Sequence, residues 1–208
     1  MKKIVKNIAG IGILIIVAFF YAHIAKVHNI YDKDVDASEY GNTGIVTDLG
    51  VQQEFVCAEE HLDGVRIKST VTESADEVTL EYTLKNLSTG ETVAAGQVEG
   101  AQVKNSKFFE LPFETVENCK DTPFELSVYS NVPIGTATGV GFAYEKTKEE
   151  DTALRVAGEE VENGTLIMKT VTHRFDFETF FVLITIETYL PMKTRIFILL
   201  SLSLQILK

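Results

Sequence analysis

Tryptophan is absent, cysteine occurs twice and proline four times in 208 residues. Two cysteines cannot build the multi-bridge framework of a small disulfide scaffold, nor a four-thiolate zinc site. Without tryptophan, the strongest ring for stacking on a sugar is missing. Positive charge is scarce where it would matter for nucleic acid. The net charge is −11, yet residues 1–30 carry Lys2, Lys3, Lys6 and Lys26 and no acid. Residues 177–208 carry Glu178 and Glu187 against Lys193, Arg195 and Lys208. Residues 31–176 therefore hold more than the whole negative balance. Such a body repels nucleic acid and anionic headgroups, which excludes a nucleic-acid partner. Disorder is not expected, since hydrophobic residues make up 45% and charged residues 24% of the chain.

One run lacks formal charge altogether. Ile8–Ala25 is 18 residues long, about 27 Å as a helix and close to the hydrocarbon thickness of a bilayer. Phe19, Phe20 and Tyr21 cluster near its far end, where amphipathic rings favour the interface. A cleaved signal peptide needs small residues at −3 and −1, and His23 in "HIA" fits poorly. The run therefore predicts an uncleaved transmembrane helix. Lys2, Lys3 and Lys6 keep the N-terminus cytoplasmic, and the body lies outside the cell membrane. His23 reads as an interfacial residue. The predicted organisation is a cytoplasmic tip and anchor over 1–30, a turn-rich acidic linker over 31–49 and a β-sandwich over 50–176. A C-terminal hydrophobic membrane segment follows over 177–208.

Helical periodicity is also missing between residues 50 and 172. Alternation takes its place. "VTLEYTLK" puts Val78, Leu80, Tyr82 and Leu84 on one face and Thr79, Glu81, Thr83 and Lys85 on the other, the period of a half-buried strand. "VRIKSTV", "FFELPFETV" and "FELSVYS" repeat the pattern, with Pro112 marking an edge or bulge. "NLSTGE" suits a hairpin loop. Asn163-Gly164 is the dipeptide of a type I′ turn and would join "ALRVAGEEV" to "TLIMKTVT". The fold class is mainly β, an antiparallel jelly-roll-like sandwich. Its predicted core includes Phe55, Val65, Ile67, Leu80, Tyr82, Leu84, Leu111, Phe113, Leu126 and Val128.

Chemistry-bearing motifs are few. Cys57 and Cys119 are compatible with a disulfide outside the membrane or with two separately buried thiols. A Cys–His catalytic pair is a third reading, but neither cysteine lies in a recognisable nucleophile context. Glu59, Glu60, His61 and Asp63 gather in "AEEHLDG", but the spacing matches no EF-hand or H-E-x-x-H pattern, so it reads as a solvated turn. His173, with Asp176 nearby, has no second histidine at ligand spacing and reads as a surface residue. Gly135, Gly139 and Gly141 lack the helix and lysine of a phosphate loop, and read as a loop, bulge or close strand crossing. Asn86-Leu87-Ser88 and Asn163-Gly164-Thr165 are glycosylation sequons by pattern. Tyr82, Tyr129, Tyr144 and Phe142 leave an aromatic sugar platform open. No catalytic, cofactor-binding or metal-ligating residue is assigned, and no cofactor is expected.

The anchor, followed by "VQQEFVCAEEHLDGVRIKSTV", "LEYTLKN", "KFFELPFETV", "PFELSVYS" and "LRVAGEEVENGTL", resembles the first extracytoplasmic domain of large polytopic membrane proteins of Gram-positive bacteria. Some of these resemble lipid-linked-sugar glycosyltransferases. The likeness runs over residues 5–185 as a pattern of strands and turns. In enzymes of that kind an acidic residue of the first outside loop is the catalytic base. Asp32, Asp34 and Asp36 occupy that position here but read as a solvated linker. The resembling proteins re-enter the membrane through a full helix. Here Phe177–Leu190 would give only about 21 Å of helix. Glu187, Lys193 and Arg195 would each cost about 2.5–3.5 kcal/mol at a helix centre. The segment is expected to begin a second span and then stop, as a truncated or frameshifted product would, or to insert over 180–207 as a tilted or broken helix.

The functional expectation is a membrane-anchored sandwich that acts as a binding or assembly module. Its partners would be the lipid bilayer and a cell-surface glycan or membrane protein. The alternative is the N-terminal fragment of a polytopic glycosyltransferase, and the chain alone is expected to carry no catalytic activity. A sensor with a dimerising anchor is a third reading, although "GIGI" is not a small-xxx-small motif.

Overall fold

The structure, a computed structural model, describes residues 12–13, 15–175 and 177–189. The described residues form thirteen strands, all in two mainly antiparallel sheets. In chain order the strands are β1 (His23–Asn29), β2 (Gly41–Asn42), β3 (Val51–Val56), β4 (His61–Thr72), β5 (Thr79–Asn86), β6 (Thr92–Glu99) and β7 (Lys107–Glu117). They continue as β8 (Pro123–Ser130), β9 (Gly139–Glu145), β10 (Ala153–Val156), β11 (Glu159–Glu160), β12 (Thr165–Leu166) and β13 (Met168–Phe175). The seven-stranded sheet runs β1-β13-β4-β9-β12, with β2 added on β9 and β7 on β4. The six-stranded sheet runs β11-β10-β3-β8-β5-β6. The chain divides into two compact units, Val27–Thr172 and the described parts of Met1–Lys26 with His173–Lys208.

The larger unit is the expected sandwich. Alternation puts Val51 and Phe55 of β3, Leu80, Tyr82 and Leu84 of β5, and Phe124, Leu126 and Val128 of β8 on the inner face of one sheet. Val65 and Ile67 of β4, Leu111 of β7 and Phe142 of β9 face them from the other. Each such large apolar side chain contributes about 1.5–3 kcal/mol when fully buried. Polar side chains also enter this layer, Gln53 among them. Buried Gln53 accepts from the Leu166 N–H at 2.7 Å and donates to the Ala153 carbonyl at 3.2 Å, so its amide is satisfied on both sides. Nine of the ten expected core residues are buried. Phe113 is only half-buried. The register between β4 and β7 shifts between Leu62 and Gly64, with Gly64 opposite Pro112, and this bulge turns Phe113 partly out of the core.

Three local expectations are corrected. The hairpin with two left-handed turn residues lies at Ala157-Gly158 (φ 51° and 82°), between β10 and β11, not at Asn163-Gly164. Asn163-Gly164 instead precedes β12, which pairs with β9 in the other sheet, so the dipeptide serves a crossover. The segment 31–49 is not a bare linker. It holds a 3₁₀ turn at Ala37–Glu39, strand β2 paired with β9, and buried Val46, whose N–H donates to the Val140 carbonyl at 2.8 Å. Gly139 and Gly141 permit this approach. A Cβ at Gly139 would lie 2.5 Å from Ile45 Cγ2, and one at Gly141 would strike the Gly44 carbonyl. Of the loop, bulge or close crossing expected for the three glycines, Gly139 and Gly141 serve a close crossing, while Gly135 lies in open space.

The third correction concerns the flanks. Of the expected span Ile8–Ala25, residues 12–13 and 15–22 are helical, and His23–Ala25 already belong to β1. Residues 8–11 and 14 lie outside the described residues, as do 190–208. At the other end, Phe177–Tyr189 forms a helix of 13 residues. Among the described residues no helix is long and apolar enough to cross a membrane. Within this terminal unit Phe175 is a hub. Its ring lies 5.4 Å from Phe19, 4.9 Å from Phe177 and 5.2 Å from Phe180.

Candidate functional site

Apart from the two cysteines, the residues singled out from the sequence do not converge. His61 pairs with the Glu117 carboxylate, directly opposite it on β7. Asp63 accepts from the Thr115 hydroxyl, while Glu59 and Glu60 stay in the turn before β4. No group of three metal-ligating side chains exists among the described residues. His173 is exposed, and Asp176 lies outside the described residues. Asp32 and Asp36 shape their own turns: the Asp34 N–H donates to Asp32 at 2.8 Å, and the Ser38 N–H donates to Asp36 at 2.8 Å. That bond, with a second from the Ser38 hydroxyl, lowers the Asp36 pKa. The four aromatics considered as a sugar platform are dispersed. Tyr82 is buried with its hydroxyl donating to the Pro112 carbonyl, Phe142 is core, and Tyr129 and Tyr144 cover Gly50 and Gly41. Cys57 and Cys119 are brought together as free buried thiols.

A different cluster forms on the outward face of the seven-stranded sheet. Because Val65 and Ile67 point inward, their neighbours Arg66 and Lys68 point outward. The ladders set Lys169 of β13 and Glu110 of β7 on either side of Arg66, and Phe108 of β7 beside Lys68. Arg66 Nε donates to Glu110 Oε2 at 2.6 Å. Lys169 Nζ sits 4.2 Å from the Phe108 ring centroid, a cation–π distance. Residues 31–40 bring two more rings to this face. Tyr31 stacks on Phe108 with centroids 6.4 Å apart, and Lys68 Nζ lies 5.0 Å from the Tyr40 ring. Burial, then the charges of Arg66 and Lys33, lowers the Lys169 pKa.

Glu145, the last residue of β9, pins this segment from below. Its carboxylate is fully buried, and both oxygens accept from the Asp32 N–H at 3.2 Å. Burial pushes its pKa up to about 7; the Asp32 N–H opposes this, and the charges of Glu149 and Asp32 add to it. Tyr31 and Tyr40 are raised chiefly by burial and also by the Glu145 charge. Beside them an open cleft of about 280 Å³ runs between His28–Tyr31 and Glu149–Thr152. The arrangement can stack an apolar face on Phe108 and Tyr31 and offer charged donors at its rim. Sequence reasoning missed it because its rings and cations come from four separate stretches. Only the outward positions of Arg66 and Lys68 were implied by alternation.

No family model and no curated protein matches the chain. Among solved structures, the chain is similar to one in a structure of the infectious bursal disease virus Gt strain, at 10% identity and a TM-score of 0.24. The match covers 71% of this chain and 38% of that one, so this chain spans well under half its length. A likeness of that degree supports no shared fold or activity.

Proposed function

We propose that the chain is a membrane-tethered, non-enzymatic binding module: a jelly-roll-like sandwich held outside the cell by its apolar flanks. One observation carries the reading. The terminal segments expose large apolar side chains in quantity, with Phe20 65%, Phe177 68% and Phe181 61% accessible, alongside Ile13, Ile16, Phe19 and Val182. Exposed large apolar side chains in such number favour a membrane or protein contact over a solvated surface. Lys2, Lys3 and Lys6 set the N-terminus on the cytoplasmic side. The acidic sandwich then faces outward and away from anionic lipid. A cell-surface glycan is the partner that best suits the Tyr31–Phe108 face, since sugar C–H groups stack on aromatic rings.

The test is alkaline extraction of bacterial membranes carrying the full chain. The protein should stay in the pellet, and replacement of Phe19, Phe20, Phe177 and Phe181 by Ser should release it while the sandwich keeps its β-type circular dichroism. Quantitative release of the unmodified chain by carbonate would end this reading.

A further inference from the structure

The two thiols stand where the sheets are joined. Cys57 directly follows β3 of the six-stranded sheet and leads into β4 of the seven-stranded one. Cys119 lies between β7 of the seven-stranded sheet and β8 of the six-stranded one. Both chain crossings are stitched together by backbone bonds. The Cys57 N–H donates to the Thr122 carbonyl at 3.0 Å, the Asp121 N–H to the Cys57 carbonyl at 2.8 Å, and the Cys119 N–H to the Glu60 carbonyl at 2.9 Å. Both side chains are completely buried, and each thiol acts on the other's ionisation across the crossing. Cys57 Sγ donates to the Glu59 carbonyl at 3.3 Å and Cys119 Sγ to the Val116 carbonyl at 3.1 Å. The backbone bonds between the two crossings hold the two cysteines side by side at the joint between the sheets.

We propose that Cys57 and Cys119 are a modification site: they close into an inter-sheet disulfide when the chain folds in the presence of a small-molecule or protein disulfide. The Cys57 thiolate attacks one sulfur of the oxidant disulfide and expels the other as a thiolate, leaving a mixed disulfide on Cys57. Cys119 then loses its proton and attacks the Cys57 sulfur, expelling the second thiolate. The protein loses two protons and two electrons, and the oxidant is reduced to two thiols. The order follows from the pair itself. The neighbouring Cys119 thiol lowers the Cys57 pKa, while Cys57 and then burial raise that of Cys119, so Cys57 is the thiol that ionises first.

Burial sets the timing. With no sulfur surface open to solvent, a bulky oxidant reaches the pair during folding or when this end of the sandwich opens. The closed bridge would constrain the long stretch between the two residues in the unfolded chain and so raise the denaturation midpoint. This inference does not depend on the proposed function.

The experiment uses the full chain, purified in detergent under reducing conditions. It is unfolded in guanidinium, refolded with oxidised and reduced glutathione, alkylated with iodoacetamide in denaturant and digested. The expected product is a monomer lighter by two hydrogens, unalkylated, that yields one cross-linked peptide pair containing Cys57 and Cys119. Its denaturation midpoint should exceed that of the same protein after reduction. Folded, reduced protein should oxidise more slowly than the refolding chain. The Cys57→Ser variant should instead carry glutathione on Cys119 or form dimers. Full alkylation of both cysteines in the refolded wild type, or separate glutathione adducts on each, would overturn the assignment. Because the mapping is read on the wild-type chain, it decides the matter even if a variant fails to fold.

Discussion

Glu145 shows how one side chain can couple a surface segment to pH. Its folded pKa of about 7 lies above the ordinary 4.5 of a free glutamate. Between those two values the folded chain binds more protons at this site than the unfolded chain does. The stability contributed here is therefore full below 4.5 and is lost as pH rises toward 7. Glu145→Gln keeps an acceptor for the Asp32 N–H but cannot ionise. It should match the wild type near pH 4.5 and be more stable above pH 7 by at most about 3 kcal/mol. Urea denaturation of both proteins across this range checks the difference; a variant that is never the more stable would refute it. Leu80 makes the complementary case in the apolar core. It is completely buried, and Leu80→Ala should cost about 2–5 kcal/mol. A shift of the denaturation midpoint worth less than about 1 kcal/mol would mean that the inner face of β5 packs loosely.

At the scale of elements, the legible features were those whose cause is local. The alternation of β3, β5 and β8 names its own inner face, so Phe55, Leu80 and Leu126 could be read directly as core. The "NLSTGE" loop was likewise readable, and the Asn86 N–H does close it by donating to the Glu91 carbonyl at 2.9 Å. Features set by a distant partner were not readable. Segment 31–49 has no periodicity of its own because β9 supplies its pairing and the side-chain-free Gly139 and Gly141 supply its room. The aromatic–basic face was hidden for the same reason, since nothing in "NSKFFE" tells that Phe108 lies beneath Lys169. Asn163-Gly164 misled because a dipeptide states a conformational preference, not which strands it joins. The true turn carries Ala157 at φ 51°, a conformation that disfavours a Cβ. Ala157→Asn should therefore stabilise the protein by about 1 kcal/mol, given the Asn-Gly preference of type I′ turns. Thermal denaturation measures it, and a lower midpoint in the variant would count against this turn assignment.

For the whole molecule, the boundary of the sandwich matters more than its strand count. The compact unit runs from Val27 to Thr172, so it includes the segment that reads as a linker. A fragment of 27–172 should fold alone with a β-type circular dichroism spectrum. A fragment of 50–172 should be less stable by several kcal/mol, because it loses β2 and Val46 and uncovers Glu145. Equal denaturation midpoints for the two fragments would show that residues 27–49 only decorate the surface. Neither fragment carries the exposed phenylalanines of the terminal unit, so both should remain in solution without detergent.

The first and last strands of the sandwich also bear on how such a unit could travel between proteins. The Ile30 N–H donates to the Met168 carbonyl at 3.2 Å, and the Thr170 hydroxyl to the His28 carbonyl at 3.5 Å. The unit's entry and exit are therefore neighbours on one sheet. A polypeptide with adjacent ends can be spliced into a loop of a host, or cut out of it, without prising the host's own strands apart. The sandwich is in that sense a cassette. Grafted into a surface loop of an unrelated carrier, it would bridge a gap little wider than the spacing between two hydrogen-bonded strands.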